Sequence, residues 1–238
     1  MTEIIQLDHN ILLFVNSLHC TFFDYFMKAC SDKYVWIPFY LALFLLLIRT
    51  FGKKKALLAL LFIALTVLLT DQITASFIRP LVCRLRPSNL DNPLSTMVHV
   101  VEGYRGGSYG FPSSHAANTA GLLFFIIQLF RRRAIVWLMV GWMVLVCYSR
   151  MYLGVHFLGD ILVGIAIGAI IGTLMARLYM KLIANYELSA ERYDHSQGNG
   201  FSLKGNQTSP FSVLNSQFVF IVFFLTILAL LIYAWICL

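Results

Sequence analysis

Long apolar runs separated by short polar turns make up most of this chain. Stretches of roughly 20 apolar residues, the length a bilayer core asks of a helix, occur at 34–51, 55–78, 115–130, 134–153, 157–182 and 212–237, the third being the shortest. The pattern predicts an all-α fold, a polytopic membrane helical bundle of about six transmembrane helices. Residues 3–30 mix Ile4, Ile5, Ile11, Leu12, Leu13, Phe14 and Val15 with Asp8, His9, Asn10, Asn16 and Asp24. That is too polar for a span and suits an amphipathic helix lying at the membrane surface. The expected organisation is an interfacial amphipathic segment over 1–33 and a core bundle over 34–183. A polar cytoplasmic linker over 184–210 then leads to a last transmembrane helix over 211–238.

Composition supports this reading. Hydrophobic residues make up 59% and charged residues 12%, against about 25% charged in ordinary globular domains, and mean hydropathy is +0.77. A compact water-soluble domain is excluded. The net charge of +7 is unevenly spread. Alternating the spans puts eleven cations and three acids on one side, with Lys53 to Lys55 and Arg131 to Arg133 among them; the other side has seven cations and eight acids. The positive-inside rule makes the first side cytoplasmic. The basic balance is therefore a matter of topology, and no nucleic-acid partner is expected. The triplet Asn206-Gln207-Thr208 falls on the cytoplasmic side, where a glycosylation signal has no meaning. Five scattered cysteines carry no metal-ligand or disulfide spacing, and neither metal nor cofactor is expected.

Three segments on the outer side carry polar residues at the ends of spans. Arg79 and Arg86 stand seven apart; a continuous helix would put them on one face, although Pro80 and Pro87 favour a kink or a helix end. In either case two guanidinium forks can converge on a tetrahedral dianion. Ser113, after Pro112 and before the run from His115, sits where a helix N-cap belongs. The following amides of Ser114 and His115, at the positive end of the helix dipole, form an anion site. His156 and Asp160, four apart, share a helix face. A carboxylate on one imidazole nitrogen fixes the tautomer and turns the other nitrogen's lone pair outward, as a nucleophile requires. Each feature has an ordinary structural use when taken singly: interfacial arginines, a capping serine, a histidine-carboxylate pair. Together, on one face of an apolar bundle, they are costly unless an anionic ligand compensates them.

The segments are Arg79 to Arg86-Pro87, then Pro112-Ser113-Ser114-His115, then Ser149-Arg150 to His156 and Asp160. In order and spacing they resemble the three signatures of the type 2 phosphatidic acid phosphatase family, membrane lipid phosphatases related to glucose-6-phosphatase and vanadium haloperoxidases. Arg79 stands where the family has Lys, and Ser114 where it has Gly. The resemblance covers 34–183 and, more loosely, the whole chain. It implies that His156 attacks phosphorus to give a phosphohistidine, that Asp160 orients it, and that His115 protonates the leaving group. It further implies that Arg79, Arg86, Arg150, Ser113 and Ser114 hold the phosphate oxygens without a metal.

Further expectations concern neighbouring residues. Gly164, Gly168 and Gly172 should let another helix pack closely. Asp71 reads as structural. The loop 88–111, with Tyr104 and Arg105, is the candidate for headgroup selection, Arg105 as a contact to a second phosphate; His9, His19, His99 and His195 read as surface residues. The expected function is metal-independent hydrolysis of a lipid phosphate at the outer face of a cytoplasmic membrane, with the lipid and the bilayer as the only evident partners. Undecaprenyl diphosphate is ranked first as substrate, ahead of lipid A, phosphatidylglycerol phosphate and phosphatidic acid. An anion-binding transporter is the non-enzymatic alternative, but inverted repeats and interrupted helices are not apparent.

Overall fold

A computed structural model describes residues 2–196 and 213–238. It is helical throughout, with two short N-terminal helices, α1 (Thr2–Ser17) and α2 (Thr21–Ser31), followed by α3 (Ile37–Phe51), α4 (Lys53–Asp71) and a one-turn α5 (Arg79–Val82). After a long loop come α6 (Ser114–Leu129), α7 (Arg133–Tyr152), α8 (Leu158–Ser196) and α9 (Val213–Ile236). Among the described residues five helical segments are long and apolar enough to cross a membrane: Lys33–Phe51, Lys53–Val82, Arg133–Tyr152, Leu158–Ser189 and Gln217–Ile236. The short third span is α6, with 16 residues.

Outward-facing Leu57, Leu61, Leu68, Ile170, Leu174 and Phe224 leave the bundle an apolar exterior, which is stable only in lipid. Inside, Trp36, Phe39, Trp142 and Phe223 stack and edge against one another, fastening α3, α7 and α9 together. In α1 the helical period turns Asp8, Leu12, Val15 and Asn16 to the protein. Ile4, Ile5, Leu7, Phe14 and Leu18 remain exposed. The N-terminal segment is thus two-faced and divided between two helices.

The most intimate packing is between α6 and α8. A Cβ built on Gly164 would lie 2.4 Å from the Ser113 carbonyl, one on Gly168 2.2 Å from the Ala117 carbonyl, and one on Gly172 2.3 Å from the Gly121 carbonyl. None of these distances is sterically possible, so the expected glycine stripe is a backbone-to-backbone seam. It sets the start of α8 against the start of α6.

One alternative left open by the sequence is decided, and one expected boundary moves. Arg79 and Arg86 do not share a helix face: the chain widens into a π-helical stretch at Gln72–Ile78, α5 ends at Cys83 in the left-handed region (φ 52°), and Arg86 follows on the loop. The amide of Arg79 reaches Thr74, five residues back. The wider turn makes room for Pro80, whose ring would collide with a regular helical carbonyl. The linker, expected from residue 184, instead begins as a continuation of α8 to Ser196. Glu187, paired with Lys55, and Ser189, whose hydroxyl donates to the Asn185 carbonyl, keep the helix going. The rest of the expected linker, with Asn206-Gln207-Thr208, lies outside the described residues.

Candidate active site

Ser113 caps α6: its Oγ accepts from the Ala116 amide at 3.4 Å, and its own amide donates to the Asp160 carbonyl at 2.9 Å. Asp160 occupies the third position of α8, where its Oδ2 accepts from the Phe157 amide at 3.0 Å, half of a capping box. The residue expected to orient His156 thus also caps the start of α8; His156 itself precedes that helix, so the two do not share a helix face as expected, and the capping turn brings them together instead. Asp160 Oδ2 lies 3.4 Å from Nδ1 of His156, a contact too long for a full hydrogen bond. The other oxygen, Oδ1, accepts from Arg84 at 2.8 Å.

His156 is 1% exposed. Its Nε2 lies 2.7 Å from Nη1 of Arg86. A guanidinium has only donors, so Nε2 is the acceptor and the ring proton sits on Nδ1, facing Asp160. That is the tautomer of a nucleophile. Burial holds the imidazole well below its usual pKa, and Arg86, Arg150 and Arg79 press in the same direction, so the ring is neutral at physiological pH. Burial also brings Arg86 down to about 10, helped by Arg150 and Arg79. It still carries its charge.

The three expected arginines come together. Nη2 of Arg79 donates to the Pro112 carbonyl at 3.2 Å and to Ser114 Oγ at 2.8 Å. Nη1 of Arg86 also donates to the Val155 carbonyl at 2.9 Å. Arg150 pairs with Ser31 Oγ and donates to the Tyr104 hydroxyl at 3.2 Å. Among the described residues the buried Nε atoms of all three have no hydrogen-bond partner. Three cations with unused donors around a lone-pair nitrogen suit a phosphate. Arg79 and Ser114, the two departures from the family signatures, touch each other: where Gly would be silent, Ser114 holds the longer cation and is itself steadied by the Thr74 hydroxyl at 2.8 Å. Asp71 and Asp160 are the carboxylates near enough to act on Arg79.

His115 lines a cavity of about 610 Å³, walled by Tyr25, Tyr104, Leu230 and Tyr233 among others, with Lys28 and Lys33 at its edge. Helices α2 and α9 thus flank the site. Tyr104 is where the sequence reading placed a headgroup contact; Arg105 is engaged elsewhere. Its Nη1 donates to the Ser88 carbonyl at 2.5 Å while Ser88 Oγ donates back to the Arg105 carbonyl at 3.1 Å. The pair braces the loop, and the expected contact of Arg105 to a second phosphate finds no support in this arrangement. Gly110 lies close over the site, where a Cβ would stand 3.2 Å from both Arg86 and Asp160.

Several participants have no motif. Arg84 bridges Asp160 and Asp8, donating through Nη2 to Asp8 Oδ2 at 2.6 Å and lying over the Phe157 ring at 4.0 Å. His99, expected at the surface, is bonded: its Nε2 lies 2.9 Å from Asp24 and its ring stacks on His19. His9 rests against Phe157. The side chain of His195 lies outside the described residues. The sequence signal for Asp8 was its place on the inward face of α1 with Leu12 and Asn16.

The model of the PAP2 superfamily matches residues 56–184. A lipid A 4'-phosphatase of Bacteroides thetaiotaomicron is 44% identical over 182 residues, which cover 76% of this chain and 81% of that one. A second lipid A 4'-phosphatase, from Porphyromonas gingivalis, is 36% identical over 180 residues, 76% of each chain. Among solved structures, Aquifex aeolicus LpxE superposes with a TM-score of 0.53 at 23% identity, covering 72% of this chain and 95% of its own. A transmembrane PAP2-type phosphatidylglycerolphosphate phosphatase from Bacillus subtilis gives 0.54 at 22% identity, covering 77% and 89%. The two structures establish the likeness of fold.

Proposed function

Because this chain belongs to the PAP2 superfamily, we propose that it is a lipid A phosphatase, removing a phosphate monoester from the glucosamine disaccharide headgroup. The observation that supports the reaction is His156 Nε2, whose lone pair is directed at the Arg86 guanidinium 2.7 Å away, where a phosphate held by that cation would meet it. Lipid A moves ahead of undecaprenyl diphosphate because two relatives bear the name lipid A 4'-phosphatase. The earlier ranking rested on no residue of the site.

Catalysis starts with the phosphate dianion bound among Arg79, Arg86 and Arg150 at the N-terminus of α6, with Ser113 and Ser114 beside it. Nε2 of His156 attacks phosphorus as the bond to the sugar oxygen breaks, and His115, entering this step as the imidazolium that the bound dianion stabilises, gives that oxygen its proton. Asp160 takes up the Nδ1 proton more tightly as the ring becomes positive. Neutral His115 then removes a proton from water, the hydroxide displaces His156 from phosphorus, and inorganic phosphate leaves with both histidines restored. Charge neutralisation by buried Arg86 and Arg150 and half-buried Arg79 is the main electrostatic contribution, and we assign the reaction as metal-independent.

The test is phosphate release by the purified protein in EDTA from lipid A, undecaprenyl diphosphate, phosphatidylglycerol phosphate and phosphatidic acid. Lipid A should be turned over with the highest kcat/KM. A preference for the prenyl diphosphate would restore the first ranking, and activity only on addition of Mg²⁺ would overturn the metal-independent mechanism. The charge distribution supports a site facing the periplasm, with Lys53 to Lys55 and Arg131 to Arg133 in the cytoplasm. In a variant with Cys20, Cys83 and Cys237 changed to Ser, Thr96→Cys should react with an impermeant maleimide in spheroplasts. Reaction only after the membrane is broken would reverse the orientation.

A further inference from the structure

We infer that Asp8, on the N-terminal helix, is a positioning residue for the nucleophile, acting through Arg84 on Asp160. The inference rests on the phosphohistidine mechanism proposed above. Helix α1 lies outside the segment matched by the family model, 56–184, yet its carboxylate meets the catalytic apparatus at two points. Asp8 Oδ2 accepts from Arg84 Nη2 at 2.6 Å, and Asp8 Oδ1 accepts from the Gly159 amide at 2.9 Å. Gly159 immediately precedes Asp160 and is the second residue of α8. One side chain therefore fixes both the backbone that presents Asp160 and the cation that holds it.

Charge explains why the outer carboxylate matters. Arg84 donates to Asp160 Oδ1 at 2.8 Å, while His156 Nδ1 stands 3.4 Å from Oδ2. Arg84 and His156 compete for the same carboxylate. If Asp8 did not share the guanidinium, the whole positive charge would be directed to Asp160, weakening the negative charge available to Nδ1–H and rotating the carboxylate away from it. With Asp8 present the fork is divided between two acids, and Arg84 is also held over the Phe157 ring, 4.0 Å from its centroid. Asp160 then keeps a net negative charge to offer the imidazole as it becomes positive. Asn16 secures α1 in this place: its Nδ2 donates to the Tyr152 carbonyl at 2.7 Å and to the His99 carbonyl at 3.0 Å, and its Oδ1 accepts from the His99 amide at 2.8 Å.

Asp8→Asn separates the two contacts, since an amide oxygen can still accept from Gly159 while its NH₂ cannot accept from Arg84. The expected result with lipid A is a fall in kcat of about 10- to 100-fold, the scale for losing an outer partner of a working histidine, with KM within a factor of about two. Asp8→Glu should regain part of the loss, and Asp8→Asn should add nothing to Arg84→Gln. An unchanged kcat, a loss confined to KM, or losses that multiply in the double variant would each overturn the inference. If Asp8→Asn does not fold, as judged by thermal unfolding in detergent, Arg84→Lys takes its place: it keeps the charge but has no fork, and full kcat there would equally overturn it. His156→Ala serves as the companion measurement. Activity in that variant would show that the mechanism itself has failed, whereas a dead His156→Ala beside a fully active Asp8→Asn would refute the positioning role alone.

Discussion

His156→Ala should abolish phosphate release, with a loss of about 10⁴-fold or more, the scale on which a nucleophile held by a base or carboxylate fails when one member is removed. The substitution takes away the atom that bonds to phosphorus. It leaves Arg86 its bond to the Val155 carbonyl, so folding should survive. Rapid acid-free quenching after mixing with ³²P-labelled lipid A should trap a base-stable, acid-labile phosphoprotein in the parent and none in the variant. Asp160→Asn should approach the same loss for a different reason. If the amide NH₂ faces Nδ1, the ring proton moves to Nε2, where it meets the Arg86 donor at 2.7 Å and the lone pair is gone. Parental rates in His156→Ala, or a phosphoprotein that persists there, would remove His156 from the reaction.

His115→Ala should be nearly as damaging for a sugar phosphate but much milder for a diphosphate. A sugar alkoxide is a strong base and needs a proton as it departs; general-acid help is worth about 10² to 10⁴-fold in such a step. A diphosphate expels a phosphate monoester whose last pKa is about 6, so it can leave without that proton. His115 lies at the start of α6 on the wall of the 610 Å³ cavity, where a leaving group can reach it. Turnover of lipid A and of undecaprenyl diphosphate by the same variant gives the comparison. Equal fractional losses would assign His115 to binding rather than to proton transfer.

Much of this site was legible because its signatures are local. Ser113 to His115 start one helix, and Asp160 lies at the start of another just after His156, so short chain spacing alone kept the members of each group together. What escaped depends on long separations. Arg84 is 76 residues from each of its acids, Asp8 is 151 from Gly159, and Arg150 is 119 from Ser31. Such pairs form only after the bundle has closed, and no periodicity announces them. Arg86 shows a different limit: the seven-residue spacing was right, but Pro80 and the left-handed Cys83 put it on a loop. The helical extension to Ser196 was missed because its polar residues resemble a linker as much as the solvated end of a helix.

The glycine seam has a consequence for motion. With Ser113, Ala117 and Gly121 carbonyls filling the space a Cβ would take on α8, neither helix can slide or tilt against the other without a collision. His115 rides on α6, Asp160 on α8, and His156 directly precedes α8, so the reacting atoms belong to one rigid body, the stator of the enzyme. Of the parts that wall the cavity, α2 and the loop carrying Tyr104 are tied to this body through Ser31 and Tyr104, which hold Arg150, while α9 contributes Leu230 and Tyr233 to the wall. A change in α9 should therefore alter entry of the lipid while leaving the rate of the bond-breaking step as it was.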